Sequence, residues 1–188
     1  MKSTSLATVA RWAGAMLVRG SHSIPIQKVV FDSREATAGT LFVALEGAQH
    51  HGIHFAVDAL KRGAAAVLCD PGFSRHHAGP SLEAPSALEA LSALARGYRQ
   101  QDRHLTPALA VTGSVGKTTT CGMIHDLLAA THRVHAPRDS FNNEIGVPIT
   151  ILEAPPETEV LVLEVGTSSV GEIAARTEVG QPSHGVIT

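Results

Sequence analysis

The sequence predicts an α/β protein: a small mixed α/β N-terminal domain over residues 1–103, then an incomplete parallel-sheet domain over 104–188 built around a phosphate-binding loop. Three observations carry that expectation. "TGSVGKTT" follows an apolar strand and opens an amphipathic helix. "VLVLEV" is a near-continuous apolar run, as in a strand buried on both faces, and it contains one carboxylate, Glu164. Upstream, apolar strands alternate with a helical segment, the order of an α/β unit.

Each element has its own local reason. Leu6, Val9, Ala10 and Ala13 fall at helical spacing, and Gly14 supplies a stop. Val29 to Phe31 is a short β-branched strand, Asp32 to Gly39 has turn chemistry, and Leu41 to Leu45 is a second strand. Phe55 to Arg62 predicts a helix closed by Gly63, and Ala64 to Cys69 a strand stopped by Asp70, Pro71 and Gly72. Ser86 to Arg96 is a helix opened by the capping box of Ser86 and Glu89, with Leu88, Leu91, Leu94, Ala95 and Tyr98 as its buried stripe. The polar stretch "RQQDRHLTP" then marks the domain boundary.

In the second half, Leu109 to Val111 is the strand that feeds the glycine loop. Thr118 to Ala130 is its helix, with Met123, Ile124, Leu127 and Leu128 expected inward. Ile145 to Leu152 is apolar but contains Pro148, which leaves its conformation open. Val160 to Val165 is the inner strand, and "GVIT" begins another.

Bulk properties exclude several function classes. A net charge of -2 gives no electrostatic case for nucleic acid or an anionic membrane, and 4% aromatic residues give few stacking platforms for bases. No apolar run is long enough to span a bilayer, and Arg11 breaks up the N-terminal apolar stretch, so a soluble cytoplasmic protein is expected. Cys69 and Cys121 lie far apart in apolar settings and suit reduced core thiols. The histidine clusters His50, His51, His54 and His76, His77 suit the surface better than a metal shell, since Gly52 interrupts the first and no cysteine or carboxylate completes either.

The glycine loop has a direct chemical meaning. Gly113 and Gly116 let the backbone turn tightly and approach an anion, with Ser114 and Val115 between them. The following helix starts with unpaired N–H groups, Lys117 brings a full positive charge, and Thr119 follows in the first turn. The Thr118 hydroxyl suits a magnesium ion. The loop departs from G-x-x-x-x-G-K-[ST], because Val111 stands where the first glycine would be. An acid at the end of a neighbouring strand completes such sites, and Glu164 is placed for that role. Taken alone, Asp32-Ser33-Arg34 and Asn142-Asn143 are ordinary polar turns.

Five stretches together resemble the Mur ligases: "FDSREATAGTLFVALEG", "HGIHFAVDALKRGAAAVL", "TGSVGKTTT", "FNNEIGVPITIL" and "LVLEVGTSSVGEIA". The resemblance covers almost the whole chain, and "NNEIGVP" is its most specific part. Phe141 to Pro148 with Gly171-Glu172-Ile173 looks most like the MurF type, the branch that adds D-alanyl-D-alanine; the MurE type also has the "DSR" element and is the nearest alternative. The resemblance implies an ATP-dependent, magnesium-dependent ligase acting on UDP-N-acetylmuramoyl-tripeptide through an acyl phosphate. It implies that Lys117 and Thr118 hold ATP and magnesium with Glu164, and that Lys117 and Glu164 are catalytic. It puts Ser33 and Arg34 near the uridine diphosphate, and Asn142, Asn143 and Glu144 along the cleft between nucleotide and substrate.

Some positions depart from the family pattern. Ser169 stands where the MurF type usually has a histidine near the second metal, and Ser140 where an asparagine is expected. "HGIHF" replaces "D-G-H-x-F", changing the polar pattern at His51 and Ile53. Family members also continue past "VIT" into more of the sheet and a C-terminal domain. A truncated form or one half of a split ligase, without full turnover alone, is therefore expected. A non-catalytic module binding nucleotide or UDP-sugar is the alternative from a different class.

Overall fold

The computed structural model describes residues 1–47, 50–101, 107–138 and 140–188. The chain divides into two compact units, Met1–Leu94 and Ala95–Thr188. The boundary expected between residues 103 and 104 lies outside the described residues.

The first unit runs β1 (Thr4–Ser5), α1 (Leu6–Ala13), β2 (Met16–Arg19), β3 (Pro25–Ile26), β4 (Lys28–Val30), β5 (Thr40–Val43), α2 (Ala56–Lys61), β6 (Ala66–Cys69) and β7 (Ser81–Glu83), and then begins α3 (Ala87–Gln101). Its main sheet has the order β2-β7-β6-β5-β4. Strands β4 to β7 are parallel neighbours, and β2 joins β7 antiparallel, so the sheet is mixed as expected. A separate antiparallel pair joins β1 to β3.

Local chemistry explains the helices. Ser5 caps α1 by accepting from the Thr8 N–H at 3.3 Å, and Gly14 closes it at φ 61°, where a side chain would be strained. Leu6, Val9, Ala10 and Ala13 are its buried face, as their spacing predicts. At the start of α3, Ser86 Oγ accepts from the Glu89 N–H at 3.2 Å. Leu91, Leu94, Ala95 and Tyr98 are buried, whereas Leu88 is half-buried and Ala87 and Ala90 take the inner positions beside it. The segment expected as one helix from Phe55 splits into a 3-10 turn, Gly52–Phe55, and the short α2. The first strand lies one residue earlier than expected, leaving Phe31 outside it and exposed.

The second unit holds β8 (Ala108–Thr112), α4 (Lys117–Ala129), β9 (Val134–His135), α5 (Gly146–Glu153), β10 (Val160–Glu164), α6 (Glu172–Gly180) and β11 (His184–Ile187). All four strands are parallel, in the order β11-β8-β10-β9. Every residue of β10 is buried. Its Leu161, Val162 and Leu163 side chains contribute about 1.5–3 kcal/mol each by leaving water. The strand that ends in Glu164 is therefore a fully buried inner strand of the unit.

Two expectations about this unit change. Ile145 to Leu152 is resolved as the helix α5, with Pro148 in its first turn, where a missing N–H costs little. In α4, Met123 and Leu127 are 68% and 77% exposed, not inward. The buried side is set by Cys121, which packs with Val111 and Val162 and brings Ile124 inward. Met123 and Leu127, four residues apart, share the other face. Among the described residues, no helix is long and apolar enough to cross a membrane.

Candidate nucleotide and metal site

Strand β8 delivers the glycine loop, and α4 starts at Lys117 directly after it. Gly113 and Gly116 have φ 142° and 82°, the region that favours glycine. A Cβ on Gly113 would also collide with Thr188. The Lys117 ammonium donates to the Gly113 carbonyl at 2.8 Å, folding its charge back over the loop. Ser114, Val115, Thr118 and Thr119 are exposed around it. Thr188 braces the loop from β11, its N–H donating to the Thr112 carbonyl at 2.9 Å and its hydroxyl to the Val115 carbonyl at 2.6 Å.

Glu164 ends the neighbouring strand. In the β10–β8 pairing it sits opposite Val111, one residue before the end of the strand that feeds the loop. Its side chain is 1% exposed. Oε1 accepts from Asn142 Nδ2 at 2.8 Å, and Oε2 has no hydrogen-bond partner. A buried carboxylate oxygen without a partner is costly unless a cation meets it. Glu164 and Thr118 both line a cavity of about 390 Å³, with Cys121, His125 and His135 among the other walls. Among the residues of that wall, Thr118 and Glu164 offer the oxygen donors that magnesium prefers.

The remaining walls are chemically quiet. Burial, with some repulsion from Glu164, pushes the Cys121 thiol up to about 12, so it is neither nucleophile nor thiolate ligand at neutral pH. Cys69, in the first unit, is likewise buried and raised to about 12. Burial pushes the His135 imidazole below its ordinary value, so it is neutral at neutral pH. The expectation of surface histidines fails at His77, which is buried.

The three residues expected along the cleft each have a protein partner. Asn142 holds Glu164. Asn143 Oδ1 accepts from the Ile145 and Gly146 N–H groups at 3.2 and 2.8 Å, in the turn that leads into α5. Glu144 pairs with Arg176 at 3.1 Å. Sequence reasoning missed Arg176: it lies on the Glu-x-x-x-Arg spacing of an ordinary exposed helix pair with Glu172, but it is 8% exposed. Ser169 gives its backbone N–H to Glu172 at 3.2 Å.

The first unit carries its own polar recess. Phe31, Asp32, Ser33, Arg34, Phe55 and Asp58 line a cavity of about 530 Å³. Asp32 accepts from the Arg34 N–H at 2.9 Å and from its guanidinium Nε at 2.9 and 3.0 Å. Those bonds hold the Asp32 carboxyl below the usual carboxylate range. The Ser33 hydroxyl donates to Asp58 at 3.3 Å. Nearby, His51 Nδ1 accepts from the Ile53 N–H and Nε2 faces Asp70, both at 3.1 Å, which fixes the proton on Nε2. Ile53 is buried in the core of this unit. In "HGIHF" the His51 imidazole therefore caps the turn and Ile53 packs into the core.

A glycine loop between an inner parallel strand and its helix, with a buried acid on the adjacent strand, defines a P-loop α/β domain. Residues 111–188 match the model of the Mur ligase middle domain, and residues 25–99 that of the Mur ligase family catalytic domain. The chain belongs to the Mur ligase family. It is 39% identical over 183 residues to a UDP-N-acetylmuramoyl-tripeptide--D-alanyl-D-alanine ligase of Bacillus subtilis, covering 93% of this chain and 39% of that one. Among solved structures, MurF from Acinetobacter baumannii superposes with a TM-score of 0.87 at 25% identity, covering all of this chain and 41% of its own. The MurF ligase of Thermotoga maritima in complex with ADP gives a TM-score of 0.73 at 31% identity, covering 83% and 36%. The chain thus spans about two fifths of the length of the curated relatives it matches.

Proposed function

We propose that this chain provides the UDP-sugar and ATP units of a peptidoglycan-precursor ligase of the MurF type, acting in the cytoplasm. The reaction joins D-alanyl-D-alanine to UDP-N-acetylmuramoyl-tripeptide. In it, the terminal carboxylate of the tripeptide attacks the γ-phosphorus of ATP and ADP leaves. The dipeptide amine then attacks the acyl carbon, an amide bond forms and phosphate departs. The single observation that carries the reading is Glu164, a buried carboxylate with one unpartnered oxygen, on the strand beside the glycine loop and sharing a cavity wall with Thr118.

Each residue has a physical task in this scheme. Gly113 to Gly116 offer backbone to the phosphates, with Thr119 following in the first turn of α4. Lys117 exchanges the Gly113 carbonyl for phosphate oxygens and offsets their charge as it shifts to the departing ADP. Thr118 and Glu164 would hold magnesium, which neutralises phosphate charge when bound. Residues 1–103 would take the UDP-sugar, with Ser33 and Arg34 at the diphosphate, and residues 104–188 the ATP. Asn142, Asn143 and Glu144 shape the edge of the site from behind Glu164.

Calorimetric titration of ATP with magnesium tests the reading. The wild-type chain is expected to bind, and Lys117→Ala to lose at least ~10-fold in affinity, the loss of one charge-assisted contact. Equal affinity in a folded Lys117→Ala chain would remove the phosphate-cradle assignment.

A further inference from the structure

Behind Glu164 lies a connected set of polar contacts that the ligase chemistry does not by itself require. Asn142 holds Glu164 Oε1 at 2.8 Å, and the Asn142 carbonyl accepts from the Gly166 N–H at 2.8 Å. The two are in close contact, since a Cβ on Gly166 would stand 2.8 Å from Asn142 Oδ1. On its other side, the Gly166 carbonyl accepts from Arg176 Nη1. The same guanidinium reaches Glu172 and Glu144, each at 3.1 Å. One buried planar cation therefore joins the exit of β10, the loop before α5 and the start of α6.

We infer that Arg176 is a positioning residue for the metal carboxylate, fixing Gly166 and the Asn142–Glu144 loop so that Glu164 keeps its free oxygen toward the cavity it shares with Thr118. The inference rests on the reading of Glu164 as a metal ligand. Its physical grounds are independent of it. Burying a guanidinium is less stabilising than burying an aliphatic side chain of similar size unless its bonds are needed. A flexible single-point ammonium cannot reproduce a planar fork that serves three acceptors at once. Groups that orient a metal's ligands set affinity without touching the ion.

The test uses the whole chain, with Mn2+ as a paramagnetic probe titrated in the presence of ADP, and ADP affinity measured separately in EDTA. Arg176→Lys keeps the charge and is compared with Arg176→Leu, each checked for folding by circular dichroism. Arg176→Lys is expected to weaken Mn2+ binding about 10-fold while leaving metal-free ADP affinity unchanged, and Arg176→Leu to weaken it further. Unchanged Mn2+ affinity in Arg176→Lys overturns the inference. So does an equal loss of ADP affinity with and without metal, which marks a general loosening of the unit. If the wild-type chain shows no ADP-dependent Mn2+ binding, or Glu164→Gln binds Mn2+ as well as wild type, the metal role of Glu164 itself falls and the positioning role with it.

Discussion

The candidate ligand residues of the two units hold their polar groups in opposite ways. In the first, the Arg34 side chain is 81% exposed and already paired with Asp32, while Ser33 donates to Asp58. The Arg34–Asp32 pair meets at the surface, where opening it costs little because water takes over. In the second, Glu164 is withdrawn from water and one oxygen is left without a partner. The first arrangement can exchange partners for a ligand at almost no cost in folding. The second holds a buried carboxylate oxygen without a partner, so a cation bound there would couple binding to stability.

The largest expected effect comes from removing that buried charge. Glu164→Gln keeps an oxygen for Asn142 and replaces an unpartnered buried charge by a neutral amide. Without metal, its stability is expected to rise, on the order of 1–3 kcal/mol, read as a higher melting midpoint. With magnesium and ADP, the wild type is expected to gain more stability than the variant, which keeps only its metal-free ADP binding. Thermal melts with and without the two ligands give both signs. A metal-free midpoint that falls in Glu164→Gln would show that the carboxylate is already satisfied, and the contrast between the units would disappear.

How much of this was legible in the sequence follows from how local each signal is. The helix over Leu6–Ala13 carries its cap, its stripe and its stop within ten residues, and β10 declares its burial through composition. The loop and Glu164 were legible for the same reason. Strand β2 was not: it forms an edge, with Met16 and Val18 exposed, and shows no alternation to detect. The α5 helix stayed open because Pro148 argued against it, while Asn143, whose side chain accepts from the first N–H of the helix, looked like a turn residue or a ligand. The facing of α4 could not be read because Met123, Ile124, Leu127 and Leu128 form one broad apolar arc, and only the packing of Cys121 selects half of it. Arg176 is the clearest case. Its spacing from Glu172 is that of a solvated pair, and its burial is a tertiary fact.

Glu172 sharpens the comparison through pH. The backbone N–H of Ser168, then that of Ser169 and the Arg176 guanidinium, hold its carboxyl at about 2, against an ordinary 4.5. A folded value below the unfolded one means that the stabilisation is complete above about pH 4.5 and is lost as the pH falls through about 2. Denaturant melts across that window should show wild type losing its advantage over Glu172→Gln, with the two converging at the acid end. A constant difference at every pH would mean that the carboxylate's charge contributes nothing to the turn before α6.

The smallest effect on folding is expected at Arg34. Arg34→Ala removes an exposed guanidinium, but the 3-10 turn Ser33–Glu35 keeps its cap, because Asp32 accepts from the backbone N–H of residue 34 whatever the side chain. The melting midpoint should stay within measurement error. Affinity for UDP-N-acetylmuramoyl-tripeptide, measured by calorimetry on the same samples, should fall about 10-fold, the usual scale for one charged contact to a diphosphate. The two readouts separate the roles. A lowered midpoint with unchanged affinity would make the Asp32–Arg34 pair structural, and the first unit would then resemble the second, with its charges committed to the fold rather than kept available for a ligand.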